Sequence, residues 1–181
     1  MEQSRREALA VYARLSGMMF LEFAAWGAWA VMIARHMGNL EFTEMQIAMV
    51  FGTTAFGTII SPLIVGWIAD RFMASQRFTA ICHFLGGGLL FVAWYQTSFA
   101  GLWLTIFLYS IVYFPTIALT NTIAFYHMGD SERFGNIRVW GTIGWIFVQW
   151  LLGAYLAFWE MHSDVSHAGD CLVIGAGASI L

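Results

Sequence analysis

Residues 78–126 read FTAICHFLGGGLLFVAWY, then QTSFA at 96–100, then GLWLTIFLYSIVYFPTIALTNTIAFY. Two apolar runs, 78–95 and 101–126, are thus joined by the short link Gln96-Thr97-Ser98-Phe99-Ala100. A bilayer core takes about 20 apolar residues per helix. Both runs read as membrane-crossing helices, and a link this short makes them antiparallel neighbours. Outward from this pair, three more runs fit the same template, at 12–33, 43–69 and 137–159. A sixth opens near Cys171 and is still apolar at Leu181. Even counted from 168 it is too short to cross. The expected fold class is an all-α membrane protein, one domain over 1–181, ending inside helix six.

Composition points the same way. The chain has 181 residues, 60% hydrophobic and 10% charged, with a mean hydropathy of +0.70. Soluble domains carry about 25% charged residues, so the surplus apolar surface must face lipid. Disorder needs the opposite composition. Spanning helices use up the length and leave no room for a separate soluble catalytic domain. Net charge is −3, with no basic footprint for nucleic acid. Cys82 and Cys171 are far apart and read as free packing cysteines.

The N-terminus runs Met-Glu-Gln-Ser-Arg-Arg, then an apolar stretch from Leu15 past Ile33. That exceeds the 7–15 residues of a signal-peptide core, so the segment reads as a retained first helix. All eight basic residues are arginines. Along the alternating path, Arg5, Arg6, Arg14, Arg71, Arg77, Arg133 and Arg138 fall on one side and Arg35 on the other. The positive-inside rule then places the N-terminus in the cytoplasm. The loop at 160–170, with Glu160, Asp164 and Asp170, is external.

Four features carry chemistry. The loop after the second span reads Gly66-Trp67-Ile68-Ala69-Asp70-Arg71, followed by Gln76-Arg77. It is either an ordinary turn with headgroup-level arginines or a gating loop formed by Gly66, Asp70 and Arg71. In the fifth span Arg138, Thr142, Trp145 and Gln149 are spaced i, i+4, i+7, i+11, which is one helical face. Arg138 either snorkels to the interface or lines a wet cavity; the stripe running deeper favours the cavity. In the fourth span Tyr109, Tyr113, Thr116 and Thr120 share that spacing, with Asn121 beside them and Pro115 able to bend the helix. This stripe reads equally as interhelical glue and as cavity lining. In the first span Glu22 lies mid-membrane, with Trp26 and Trp29 at i+4 and i+7. A carboxyl there is a candidate proton carrier or a hydrogen-bonded structural group. The tryptophans can stack on a flat ring or simply pack.

Enzyme signatures are missing. There is no H-E-x-x-H, no dense His cluster, no G-x-S-x-G, no P-loop and no Rossmann fingerprint. The expectation is no enzyme, no metal and no cofactor. His83, beside Cys82, reads as a packed or capping residue, and Gly86-Gly87-Gly88 as a helix-packing surface.

The G-x-x-x-D-R pattern between spans two and three resembles the signature loop of the major facilitator superfamily. Here Met73-Ala74-Ser75-Gln76 replaces its usual glycine and second basic pair. Four stretches together resemble one family within it. They are residues 20–29 (FLEFAAWGAW), Ala80-Ile81-Cys82-His83, Tyr113-Phe114-Pro115-Thr116 with residues 119–123 (LTNTI), and residues 137–144 (IRVWGTIG). The family is the nucleoside:proton symporters, the bacterial nucleoside permeases, and the likeness covers nearly the whole chain.

The resemblance implies twelve helices in two six-helix halves, alternating access and a midplane site between the halves. On it, this chain is the N-terminal half, cut within helix six, of a multi-pass importer of the bacterial inner membrane. It implies nucleoside and proton as partners, with the proton gradient as driving force. Arg138 and Thr142 then correspond to nucleoside contacts, and Trp145 to an aromatic near the base, where the family has phenylalanine. Trp26, Tyr113, Asn121 and Gln149 complete the expected substrate-binding set. Glu22 stands where the resemblance implies glutamine, so it is either an added proton site or a binding-site variant. The remaining substrate contacts and coupling carboxylates belong to a second half, absent here and required for transport. The alternative is a major facilitator transporter of a sugar or other small polar metabolite.

Overall fold

The computed structural model describes residues 2–69, 73–129 and 131–181, with 4 and 66–69 described for their backbone alone. The described residues form α1 (Glu2–Ala30), α2 (Ile33–Asn39), α3 (Glu44–Ala69), α4 (Ser75–Trp94), α5 (Phe99–Met128), α6 (Ser131–His162) and α7 (Asp170–Ile180). Five stretches are long and apolar enough to cross a membrane: α1 with α2, then α3, α4, α5 and α6. The 11-residue α7 is shorter than a span.

The helices outrun the apolar runs at most ends. α1 begins at Glu2, where Arg6 pairs with Glu2 one turn away at 2.7 Å in an exposed position. Hydropathy marks the lipid-facing length, but a helix satisfies its own backbone and continues into water. The first span also breaks at 31–32 before resuming as α2. Local capping sets several ends. Thr43 Oγ1 accepts from the Gln46 N–H at 3.3 Å, and Gln46 Oε1 accepts from the Thr43 N–H at 2.9 Å. This is a reciprocal capping box. Ser98 caps α5 by accepting from the Gly101 N–H. Gly129 ends α5 at φ +72°, a left-handed conformation that costs glycine little. Thr43→Ala is expected to lower stability by about 1 kcal/mol, read by thermal unfolding of the detergent-solubilised protein.

α1 and α5 are the two most buried spans. α1 packs on α6 and α7 and crosses α5; α5 packs on α3 and α4, and α4 on α7. The main core joins Trp29, Leu90, Ile106, Tyr109, Tyr113 and Leu172 across these helices. The outer faces stay apolar: Ile59 and Leu63 of α3 are 72% and 73% exposed. Water would penalise such surface at about 25 cal/mol per Å², whereas lipid does not. Cys82 and Cys171 are buried and free.

The end of the bundle away from the N-terminus is tied by polar contacts. Arg35 of α2 pairs with Glu160 of α6. Asp170 accepts from the Trp94 indole N–H at 3.1 Å, the Tyr155 hydroxyl at 2.7 Å and His167 Nδ1 at 2.9 Å. These bonds bring α4, α6 and the start of α7 together.

Candidate functional site

The α6 stripe meets α1 along one seam. Gly144 is buried there, and a Cβ on it would collide with the backbone of Phe20, so only glycine permits this approach. Close approach sets the geometry around it. The Arg138 guanidinium carbon lies 4.0 Å from the centroid of the Phe23 ring, a cation–π contact. Trp145 meets Trp26 edge to face at 5.1 Å, and Trp26 meets Phe114 of α5 edge to face at 5.4 Å. The Gln149 amide donates to the Gly27 carbonyl. Arg138, Trp145 and Trp26 are each half-buried, and Thr142 is exposed between Arg138 and Trp145.

This patch offers planar guanidinium donors, one hydroxyl and two indole rings on an otherwise apolar wall. Such a set suits a flat, polar-edged ring carrying hydroxyl groups. Base–aromatic stacking and charge-assisted hydrogen bonds are both available to it. Of the residues expected at a binding site, Arg138, Trp145 and Trp26 share this seam, and Thr142 is exposed on α6 one turn from Arg138. Gln149 lies further along it and is engaged by the α1 backbone.

The α5 stripe turns inward instead. Tyr113 is fully buried, and its hydroxyl donates to the Glu22 carbonyl. Tyr109 accepts from the Trp29 indole N–H at 3.3 Å and stacks on Tyr113. Thr120 bonds back to the Thr116 carbonyl at 2.9 Å. Tyr109 and Tyr113 thus bond across to α1, as interhelical glue does, while Thr120 bonds within α5. Asn121 is half-buried, and its Oδ1 is a buried acceptor without a hydrogen-bond partner.

Glu22 is only 1% exposed and bonds on a side of α1 separate from the α6 seam. Its Oε1 accepts from the Thr116 hydroxyl at 2.7 Å, and its Oε2 lies 2.9 Å from His83 Nε2 of α4. His83 Nδ1 lies 3.1 Å from Ser179 Oγ of α7, and that hydroxyl is also 2.9 Å from the His83 carbonyl. The carboxyl thus joins α1 to α4 and α5, and His83 carries the link on to α7. Sequence reading missed His83, Thr116 and Ser179 as its partners. A usable signal existed: an ionisable residue in one span needs a partner in another, and His83 is the polar ring in the third span.

Asp70 and Arg71 of the expected gating loop lie outside the described residues, and Gly66 is described only as helical backbone at the end of α3. Among the described residues no group of three or more His, Cys, Asp or Glu could hold a metal ion.

Comparisons with known proteins come to one family. The sequence model described as Nucleoside H+ symporter matches residues 9–181. The putative nucleoside transporter YegT of Escherichia coli (strain K12) is 42% identical over 170 residues, covering 93% of this chain and 40% of that protein. The nucleoside permease NupG of Escherichia coli (strain K12) is 32% identical over 145 residues, covering 77% of this chain and 35% of that protein. A crystal structure of the nucleoside transporter NupG superposes with a TM-score of 0.82 at 30% identity, over 93% of this chain and 41% of the other. The chain thus spans about two fifths of the length of the relatives it matches.

Proposed function

Because the chain belongs to the nucleoside H+ symporter family, we propose that it supplies the N-terminal part of a secondary transporter importing nucleosides with protons. The observation that carries this reading is the α1–α6 seam, where the Arg138 guanidinium and the Trp26 and Trp145 rings line one wall, with Thr142 exposed one turn from Arg138. The base stacks on Trp145, and Arg138 and Thr142 donate to oxygens of base or sugar. Asn121 offers a free acceptor toward the same substrate, while Gln149 and Tyr113 hold the wall against α1. The second wall comes from a C-terminal half, and the two halves alternate access around the substrate. Gly66, Asp70 and Arg71 gate the cytoplasmic side. The N-terminus faces the cytoplasm of a bacterial inner membrane, as the seven-to-one arginine distribution supports. Glu22 belongs to the site that holds the coupling proton. No cofactor or catalytic step is involved.

The test is uptake of labelled uridine or adenosine by the full-length protein in cells lacking their own nucleoside permeases. Competition by purine and pyrimidine nucleosides, and not by sugars, is the expected pattern. Competition by sugars alone would replace this reading with a sugar transporter. Trp145→Ala is expected to raise KM for the nucleoside about tenfold, the scale of one lost base–aromatic stack. An unchanged KM removes Trp145 from the site.

A further inference from the structure

We propose that Glu22, His83 and Ser179 form a one-proton store that loads and empties by rotation of the Ser179 hydroxyl, with no heavy atom moving. This rests on the symport reading above and assigns the proton to a three-residue unit. The distances allow two complete hydrogen-bond patterns. In the empty state Glu22 is a carboxylate and His83 is neutral. His83 Nε2–H donates to Glu22 Oε2 across 2.9 Å, and Ser179 donates to His83 Nδ1 across 3.1 Å. In the loaded state one proton from water has bonded to Nδ1. His83 then donates from both nitrogens, through Nδ1–H to Ser179 Oγ, and Ser179 turns its hydrogen to the His83 carbonyl at 2.9 Å. Release runs backward, and the proton returns to water from Nδ1.

The charge difference makes the store useful. The empty unit carries one net negative charge inside the bundle, while the loaded imidazolium–carboxylate pair is net neutral. A net charge inside a membrane bundle is costly, whereas a hydrogen-bonded pair is tolerated. The Thr116 hydroxyl lies 2.7 Å from Glu22 Oε1 and 2.6 Å from the Tyr113 carbonyl, so its single hydrogen can serve either acceptor. A groove between α1, α4 and the last turn of α7 is lined by Arg14, Glu22, Thr79, His83, Ser179 and the final residue, Leu181. Thr79 Oγ1 is a buried hydroxyl oxygen without a partner beside it. The other titratable groups facing the unit, among the described residues, are Cys82 of α4 and Tyr109 and Tyr113 of α5. Arg14 of α1 lines the groove, and Arg138 of α6 is held over Phe23. α7 contributes the Ser179 hydroxyl.

The test uses the full-length transporter in proteoliposomes, comparing nucleoside counterflow, which needs no gradient, with accumulation driven by a pH difference. His83→Gln and Glu22→Gln are each expected to lose accumulation about tenfold or more, the scale of a lost charge-assisted hydrogen bond. Counterflow is expected to stay near wild type. Ser179→Ala keeps the packing and removes the rotor. It is expected to move the pH midpoint of accumulation by about one unit, while counterflow persists. Accumulation with an unchanged pH profile in Ser179→Ala overturns the proposal, including where His83→Gln fails to fold. Parallel loss of counterflow and accumulation in His83→Gln, with intact thermal stability, also overturns it. Wild-type protein without nucleoside counterflow overturns the transport reading itself. Wild-type counterflow with no response to a pH difference overturns the symport reading and leaves nucleoside transport standing.

Discussion

Arg138→Ala is expected to lower nucleoside uptake by the full-length protein about 10- to 100-fold. The size follows from losing hydrogen bonds between a guanidinium and substrate oxygens, about 1.5–3 kcal/mol. Stability should hardly change. The contact that the structure gives this guanidinium is the face of the Phe23 ring at 4.0 Å, and a partly exposed cation–π contact contributes about 0.5–1 kcal/mol. Thermal unfolding and helix content should therefore match wild type while uptake falls. Arg138→Lys keeps the charge but loses the planar fork, so it should fall between the two. Uptake at wild-type level in Arg138→Ala would remove this arginine from the substrate site and leave it as an interfacial anchor.

The opposite pattern is expected from Gly144→Val. Gly144 lies where α6 touches the α1 backbone, and the nearest atoms to an added Cβ are the Phe20 carbonyl group and Cα. Backbone cannot step aside as a side-chain tip can, so the helices must separate. A cost of about 3 kcal/mol is expected for such overpacking, read as a lower unfolding temperature and a lower yield of folded protein in detergent. Uptake should fall with stability, because the same seam sets Trp26 against Trp145 and Phe23 under Arg138. Gly153 on the same helix is the control. A Cβ there meets nothing within 4 Å, so Gly153→Ala should leave both readouts unchanged. Equal tolerance at 144 and 153 would mean that the two helices do not approach as closely as described.

Much of the architecture was legible because the bilayer imposes a length and a hydropathy on every span. The runs at 78–95 and 101–126 correspond to α4 and α5, and the link between them to the turn capped by Ser98. Ends were harder to read. Glu2–Arg6 and Ser131–Asn136 are helical although polar, since capping and backbone bonding decide ends and hydropathy does not. The α6 stripe was legible from its helical period alone. That the α5 stripe faces the interior was not, since glue and cavity lining share the same residue types and spacing.

Sequence alone determined an all-helical membrane protein, its family, and a polar, aromatic face on the fifth span. Each of these follows from local composition, period or motif. Tertiary structure decided what those faces touch. Glu22 meets His83, 61 residues away, and Thr116, 94 residues away. Arg138 lies on the α1–α6 seam and Glu22 among α4, α5 and α7. A helical period fixes which residues share a face but leaves each helix free to turn about its axis. That rotation is settled by packing, here by the close approach at Gly144 and the hydrogen bonds that join four helices through Glu22 and His83.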